Sequence, residues 1–145
     1  MEIKKIYKIA EDNNVSVNFF SLPKSKALSI CCADGSCHIA IDPCRITSEA
    51  DEKVKLCHEL GHCVTGSFYC EDNYCDVYAR HEYRANKWAF KQLIPLDELI
   101  AVLDRGMVTV WELSEHFGVT EGFMRKAYEY YYTFYSDKII KNRPN

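Results

Sequence analysis

The spacing of apolar residues predicts a helix and then three strands in the first third of the chain. Apolar positions recur at helical spacing over residues 2–12. Runs rich in β-branched, aromatic and other apolar residues then predict three strands, at 15–22, 25–33 and 36–42. Asp34 and Gly35 form a dipeptide that favours a tight hairpin turn, so the second and third strands are expected to pair with each other.

The rest of the chain is predicted to be mainly helical. Ser48 and Asp51 fit a capping box and Gly66 favours a stop, so a long helix is expected over residues 46–66. The other expected segments are a loop at 67–76, helices at 77–94 and 96–106, two helices joined around Gly118 within 109–135, and a frayed basic tail at 138–145. The fold class is therefore predicted to be α+β.

Length and composition favour one folded domain over residues 1–145. Hydrophobic residues make up 48% of the chain, and the net charge of −3 gives no general attraction to nucleic acid or to anionic membranes. The N-terminus lacks the apolar core of a signal peptide, and no run approaches the roughly 18 consecutive apolar residues of a membrane span. We therefore expect a soluble, cytoplasmic protein without a membrane partner.

Eight cysteines are many for a chain of this length. Without a secretory signal a disulfide framework is not favoured, and no Cys-x-x-Cys pair supports a second metal site. We expect them to be reduced and mostly buried thiols: Cys31, Cys32, Cys37, Cys44, Cys57, Cys63, Cys70 and Cys75.

Residues 56–63, LCHELGHC, place two histidines four positions apart within the predicted long helix. His58 and His62 therefore share one face, where both can bind a single zinc ion. Glu59 is displaced from that face, but it can reach a metal-bound water and activate it as a general base. The alternative is a helix with two histidines on a polar face. Gly61 is costly inside a helix, so a close packing partner is expected there.

A catalytic zinc site needs a third protein ligand. The candidates downstream are Glu71, Asp72, Asp76, His81 and Glu82. Glu82 shares a helical stripe with the small residues Ala85 and Ala89, which would let its helix approach the histidine helix closely. Asn86 lies on the same side and could hydrogen-bond to a ligand. The residues themselves leave Glu82 and His81 as rivals, because imidazole is an equally good zinc ligand.

The two motifs together resemble the ImmA/IrrE family of zinc metallopeptidases. The family pattern is HExxH, followed by an E-x-x-A-N-x-x-A helix that ends near proline. The matching positions here are His58, Glu59, His62, Glu82, Ala85, Asn86, Ala89 and Pro95. The resemblance implies that His58, His62 and Glu82 bind one Zn²⁺ and that Glu59 is the catalytic residue.

The resemblance also implies a fold and a substrate. The expected fold is zincin-like and gluzincin-type, with a small twisted, mostly antiparallel three-stranded sheet packed on helices. Residues 1–106 would form this core, and 107–145 a C-terminal helical segment. Many members of the family are encoded by phages and integrative elements, where they cleave Cro/CI-like helix-turn-helix repressors and so release lytic or transfer genes, and relatives act in stress responses. The implied partner is therefore a helix-turn-helix repressor protein.

Details of substrate binding can be anticipated in part. The strand at 36–42 could lie at the sheet edge and bind an extended substrate segment by strand addition. His38, Tyr74 or Tyr83 could stabilise the oxyanion, although packing or surface roles for these side chains are the simpler alternative.

A non-catalytic regulator that binds protein or DNA is the alternative function. Residues 109–131 have the look of a helix-turn-helix, with Gly118 at the turn and Thr120 as a cap. Four glutamates against one arginine and one lysine in this segment argue against direct DNA binding. Glu59 favours the enzyme, because a purely structural zinc site needs no general base.

Overall fold

The structure, a computed structural model, describes residues 1–67 and 75–141. Its elements in chain order are α1 (Ile3–Asp12), β1 (Val15–Phe19), β2 (Ala27–Cys31), β3 (Cys37–Ile41), α2 (Glu49–Thr65), α3 (Cys75–Leu93), α4 (Leu96–Asp104), α5 (Val110–Phe117) and α6 (Glu121–Lys141). The predicted α+β class is confirmed. Within the described ranges, no helix combines the length and the apolar character needed to cross a membrane.

The three strands form one mixed sheet in the order β1–β3–β2. The turn at Gly35, where φ is 87°, brings β2 antiparallel to β3, whereas β1 pairs with β3 in parallel. The prediction of a mostly antiparallel sheet is therefore wrong, because β1 joins the other side of β3 and runs in the same direction. Residues 36–42 were expected at the sheet edge, which is also wrong, because β3 is central. The edge strand that packs on α2 is β2.

Helix α2 begins and ends where the local chemistry predicts. The Ser48 side chain accepts a hydrogen bond from the backbone N–H of Asp51, and Gly66 ends the helix in the left-handed conformation with φ of 68°. The Asp51 carboxylate accepts hydrogen bonds from the backbone and hydroxyl of Thr47 and from Lys26. The start of α2 is thus fixed both to the preceding loop and to the residue before β2.

Helix α2 packs on the sheet on one side and on α3 on the other. Leu56 of α2 and Ile39 of β3 are fully buried in the shared core. A Cβ at Gly61 would lie only 2.7 Å from the carbonyl oxygen of Ala85 in α3. The predicted close packing partner of Gly61 is therefore the α3 backbone, and the absence of a side chain sets the distance between the two helices.

The C-terminal helices agree with the prediction at their junction and differ at their end. Helices α5 and α6 meet around Gly118, which has φ of 64°. The expected fraying from residue 138 is wrong for residues 138–141, because the helix resumes after a kink at Tyr135 and runs to Lys141, and Ile139 is 1% exposed within the core. Burial of this side chain stabilises the last turn of a helix whose sequence alone suggested a solvated tail. Residues 142–145 lie outside the described part.

The cysteines are less buried than expected. Of the six whose side chains the structure describes, Cys57 alone is buried, Cys37 and Cys63 are half-buried, and the exposed ones are Cys31, Cys32 and Cys44. The prediction of mostly buried thiols is therefore wrong, because the exposed cysteines lie at the end of the edge strand and in the turns around the sheet. Cys70 and the side chain of Cys75 are outside the described residues.

Candidate metal centre

Three side chains converge at the point where Gly61 lets α2 and α3 approach each other. Nε2 of His58 lies 3.2 Å from Nε2 of His62, one helical turn along α2. Glu82 of α3 reaches both rings, with Oε2 3.1 Å from His58 Nε2 and Oε1 3.3 Å from His62 Nε2. One ligand atom from each residue can be chosen so that all three lie within 4.8 Å of one another. This is the spacing that three protein ligands of a single ion require.

Hydrogen bonds on the far side of each imidazole orient the two Nε2 atoms. His58 Nδ1 lies 2.8 Å from the Oδ1 of Asn86, and His62 Nδ1 lies against the main-chain carbonyl oxygen of Ser67. Both partners are acceptors, so each Nδ1 carries the proton and each Nε2 directs a lone pair at the centre. Two lone pairs and a carboxylate that face one another are stabilised by a cation between them. The donor set therefore fits Zn²⁺ or a similar first-row ion.

Glu59 lies beside the ligand set and points toward the sheet. Its Oε2 accepts a hydrogen bond of 2.7 Å from the hydroxyl of Ser29 in β2. Glu59, His62 and Glu82 line a cavity of about 480 Å³, and its other wall is the edge strand Ala27–Cys31. The Glu59 carboxylate, two of the three candidate ligands and a strand edge thus border one cavity.

The ligand set also borders a second cavity, of about 320 Å³, on the side away from the sheet. His58, Glu82 and Asn86 line it together with Lys55 and Lys126. His58 and Glu82 are half-buried, with side-chain exposures of 19% and 29%, so the centre can be reached from solvent. The two lysines give this entrance a positive rim, in a chain whose overall charge is negative.

A family comparison agrees with this geometry. The model of the IrrE N-terminal-like domain, Peptidase_M78, matches residues 10–129, which is most of the chain. The chain belongs to this family. The similarity to ImmA/IrrE proteins noted from the two motifs is thereby confirmed. Among curated proteins, none matches the chain significantly.

Membership of the Peptidase_M78 family implies a metallopeptidase-type function. The matched range contains the whole of the candidate centre, from His58 to Asn86. Together, the family and the His-His-Glu group support a metal-dependent hydrolase.

Within this IrrE N-terminal-like domain the structure distinguishes the rival third ligands. Glu82 faces the two imidazoles, and His81 is not part of that group. Glu71 and Asp72 lie outside the described residues, as does the side chain of Asp76. Asn86, expected to hydrogen-bond to a ligand, lies against His58.

The residues suggested for the oxyanion are not brought to the cavity by the described structure. His38 contacts the hydroxyls of Ser16 on β1 and of Ser36 in the turn. Tyr83 is exposed, and its ring centroid lies 6.3 Å from that of Tyr130. Tyr74 falls outside the described residues. A role of these side chains at an oxyanion therefore stays a prediction.

Two residues of the site carried no recognised signal in the sequence. Ser29 binds Glu59, but only the strand order shows that β2, and not β3, is the edge strand next to α2. Ser67 contributes a main-chain carbonyl to His62, and a backbone group leaves no mark on residue type. The one hint in the sequence is that Ser67 directly follows Gly66, where the helix stops. A chain that turns back after such a stop can bring its carbonyl groups to the last turn of the helix.

Proposed function

We propose that this protein is a zinc-dependent endopeptidase with a zincin-like, gluzincin-type core, and that His58, His62 and Glu82 hold the ion. The observation that carries the proposal is the position of Glu59, beside the ligand set and on the wall of the larger cavity. A structural zinc site is closed by four ligands, whereas three ligands with a neighbouring carboxylate are typical of a hydrolytic site.

Each residue has a separate task in this proposal. Zn²⁺, when bound, would supply a Lewis acid that polarises the scissile carbonyl and lowers the pKa of a water molecule toward neutrality. Glu59 would accept a proton from that water and later deliver it to the leaving amine. Ser29 would hold the Glu59 carboxylate toward the cavity through its 2.7 Å hydrogen bond. Asn86 and the Ser67 carbonyl would keep both imidazoles in the binding tautomer.

The edge strand β2 is the natural binding surface for an extended substrate. The main-chain hydrogen bonds from Asp42 to Lys26 and from Cys32 to Ser36 mark the hydrogen-bonded pairs of the β2–β3 ladder. By alternation, the backbone groups of residues 27, 29 and 31 point away from β3, toward the cavity side. A substrate segment can therefore add as a further strand along β2. This replaces the earlier expectation that 36–42 would be the docking edge.

We further propose that the substrate is a helix-turn-helix repressor of the Cro/CI type, encoded by a phage or mobile element and cleaved in the cytoplasm. The similarity to ImmA/IrrE proteins supports this substrate class. The acidic composition of α5 and the start of α6 argues that the chain acts on such a protein rather than on DNA. A non-catalytic metal-binding regulator is the alternative, and Glu59 is the residue that separates the two functions.

The test uses the wild-type protein and Glu59→Gln, both loaded with zinc, and a repressor encoded beside the gene. Zinc content is measured first, because Gln preserves size and should leave the three ligands intact. Cleavage is then followed by intact mass. We expect equal zinc content, and at least a 100-fold lower cleavage rate for the variant, since general-base catalysis contributes roughly 10²–10⁴-fold. Cleavage by both proteins at the same rate would contradict the proposed role of Glu59.

A further inference from the structure

Two cysteines lie directly opposite each other at the end of the β2–β3 hairpin. Cys31 and Cys37 are register partners in the antiparallel pair. The next rung, where the amide of Cys32 donates to the carbonyl of Ser36 at 2.8 Å, is a hydrogen-bonded pair. Cys31 and Cys37 therefore form a non-hydrogen-bonded pair, whose Cα atoms are typically about 4.5 Å apart with side chains on the same face. A disulfide needs a Cα separation of roughly 4.4–6.8 Å, so this pair fits.

The two thiols differ in environment. Cys31 is exposed and lines the larger cavity, whereas Cys37 is half-buried. Burial raises the pKa of Cys37, and the neighbouring Cys31 thiol raises it further. The Cys31 thiol itself donates to the main-chain carbonyl oxygen of Cys32 at 3.7 Å, so it must rotate away from that contact to meet Cys37. Cys63 of α2 also interacts with Cys37, from the helix side. An oxidant entering the cavity would meet Cys31 first.

We propose that Cys31 and Cys37 form a reversible disulfide when the protein meets a hydroperoxide. The Cys31 sulfur attacks the O–O bond and becomes a sulfenic acid, while the other oxygen leaves as water or alcohol. The Cys37 sulfur then attacks the Cys31 sulfur, the S–O bond breaks, and a second water carries away the thiol proton. Two thiols lose two hydrogen atoms, and one hydroperoxide is reduced by two electrons. A thiol reductant reverses the bond by exchange.

The bond would restrain the wall of the cavity. Cys31 is the last residue of β2, and Ser29, which holds Glu59, lies two residues earlier on the same face of the strand. A second covalent connection between β2 and β3 would limit opening of the edge strand at this end. The disulfide itself does not depend on peptidase activity, so it can be tested independently of the proposed function.

The test is disulfide mapping on the zinc-loaded protein. After treatment with a small excess of hydrogen peroxide and blocking of free thiols, the chain is digested without reduction by trypsin and an Asp-directed protease. Cleavage after Lys26 and Arg45 and before Asp34 and Asp42 places the first four cysteines in peptides 27–33, 34–41 and 42–45, apart from the four that follow residue 45. We expect peptides 27–33 and 34–41 to be linked, with a loss of two hydrogens that dithiothreitol restores.

Matched variants assign the bond, because peptide 27–33 contains both Cys31 and Cys32. Cys32→Ser should retain the linked pair and Cys31→Ser should lose it, while Cys44→Ser, which removes an exposed cysteine elsewhere, should behave as wild type. Slower hydrogen exchange in β2 of the oxidised protein would support the restraint. The inference is overturned if the Cys32→Ser protein keeps Cys31 and Cys37 as separate thiols. It is equally overturned if Cys37 links to Cys63, or if the bond needs Cys32.

Discussion

Alanine at Gly61 tests how closely α2 and α3 must approach for the metal centre to form. The new Cβ would lie 2.7 Å from the carbonyl oxygen of Ala85 and 3.1 Å from its Cα, and both are main-chain atoms that cannot rotate away. Ordinary contact begins near 3.4 Å, so the helices must separate by about 0.7 Å at this point. Glu82 lies one turn before Ala85 on α3 and would move with it.

The expected magnitudes follow from two opposing effects. Alanine favours a helix interior over glycine by about 1 kcal/mol, whereas overpacking of a close contact costs about 1–3 kcal/mol. Because the contact is with the backbone, we expect a cost in the upper part of the overpacking range. The free energy of unfolding should then fall by about 1–2 kcal/mol, which lowers Tm by roughly 3–8 °C. A shift of 0.7 Å exceeds the roughly 0.5 Å tolerance of a functional constellation. We therefore expect zinc to bind at least about tenfold more weakly.

The assay combines thermal unfolding of the metal-free protein with competitive zinc titration. Gly122→Ala is the matched control, because Gly122 also lies in a helix and a Cβ there would meet no atom within 4 Å. The control should unfold at the same or a slightly higher temperature and bind zinc as wild type. If Gly61→Ala behaves like this control in both measurements, the close approach of α2 and α3 does not determine the geometry of the centre.

Three further substitutions test individual contacts. Asn86→Ala removes the acceptor of one imidazole and should weaken zinc binding about 10- to 100-fold with little change in Tm, and unchanged zinc affinity would contradict this role. Tyr131→Phe leaves the buried carbonyl of Ile94 without its 2.6 Å hydrogen bond and should cost about 1–2 kcal/mol in urea unfolding. A backbone hydrogen bond from Leu22 is the main cause of the lowered pKa of Asp42. The ionised Asp42 carboxylate therefore stabilises the fold at pH values above the ordinary pKa of an aspartate, about 3.9. Asp42→Asn should have a lower Tm than the wild type at such pH, and the difference should shrink as the pH falls through the lowered pKa of Asp42 in the folded protein.

Much of the metal centre could be predicted from the sequence because its determinants are local. The spacing of His58 and His62 fixes their common face once a helix is assigned, and the caps at Ser48 and Gly66 define that helix. The small residue at position 85 indicated close approach of the next helix, and Gly61 meets it there. From the residues alone, Glu82 and His81 remained alternative third ligands. Adjacent positions on a helix point in different directions, and only the packing of α3 against α2 decides which of them faces the histidines.

The sheet was harder to predict because its order depends on long-range pairing. The turn at Gly35 determines that β2 and β3 pair, but nothing local says on which side of β3 the first strand is added. The prediction that residues 36–42 form the edge strand was wrong for this reason. The expected burial of the cysteines came from the general tendency of free cysteine to be buried, which does not show that Cys31 lies at the end of the true edge strand. The helical end of α6 was missed for a similar reason, because burial of Ile139 is a tertiary effect.

The central claim, that two helices build a three-ligand zinc site, is tested most directly by the zinc content of protein purified without chelator. Elemental mass spectrometry should find about one zinc per chain in the wild type. Zinc should be nearly absent from His62→Ala, while Cys44→Ala, which removes an exposed thiol that is not part of the ligand set, should retain it. Absence of zinc from the wild type even after dialysis against zinc, or full retention in His62→Ala, would contradict the account.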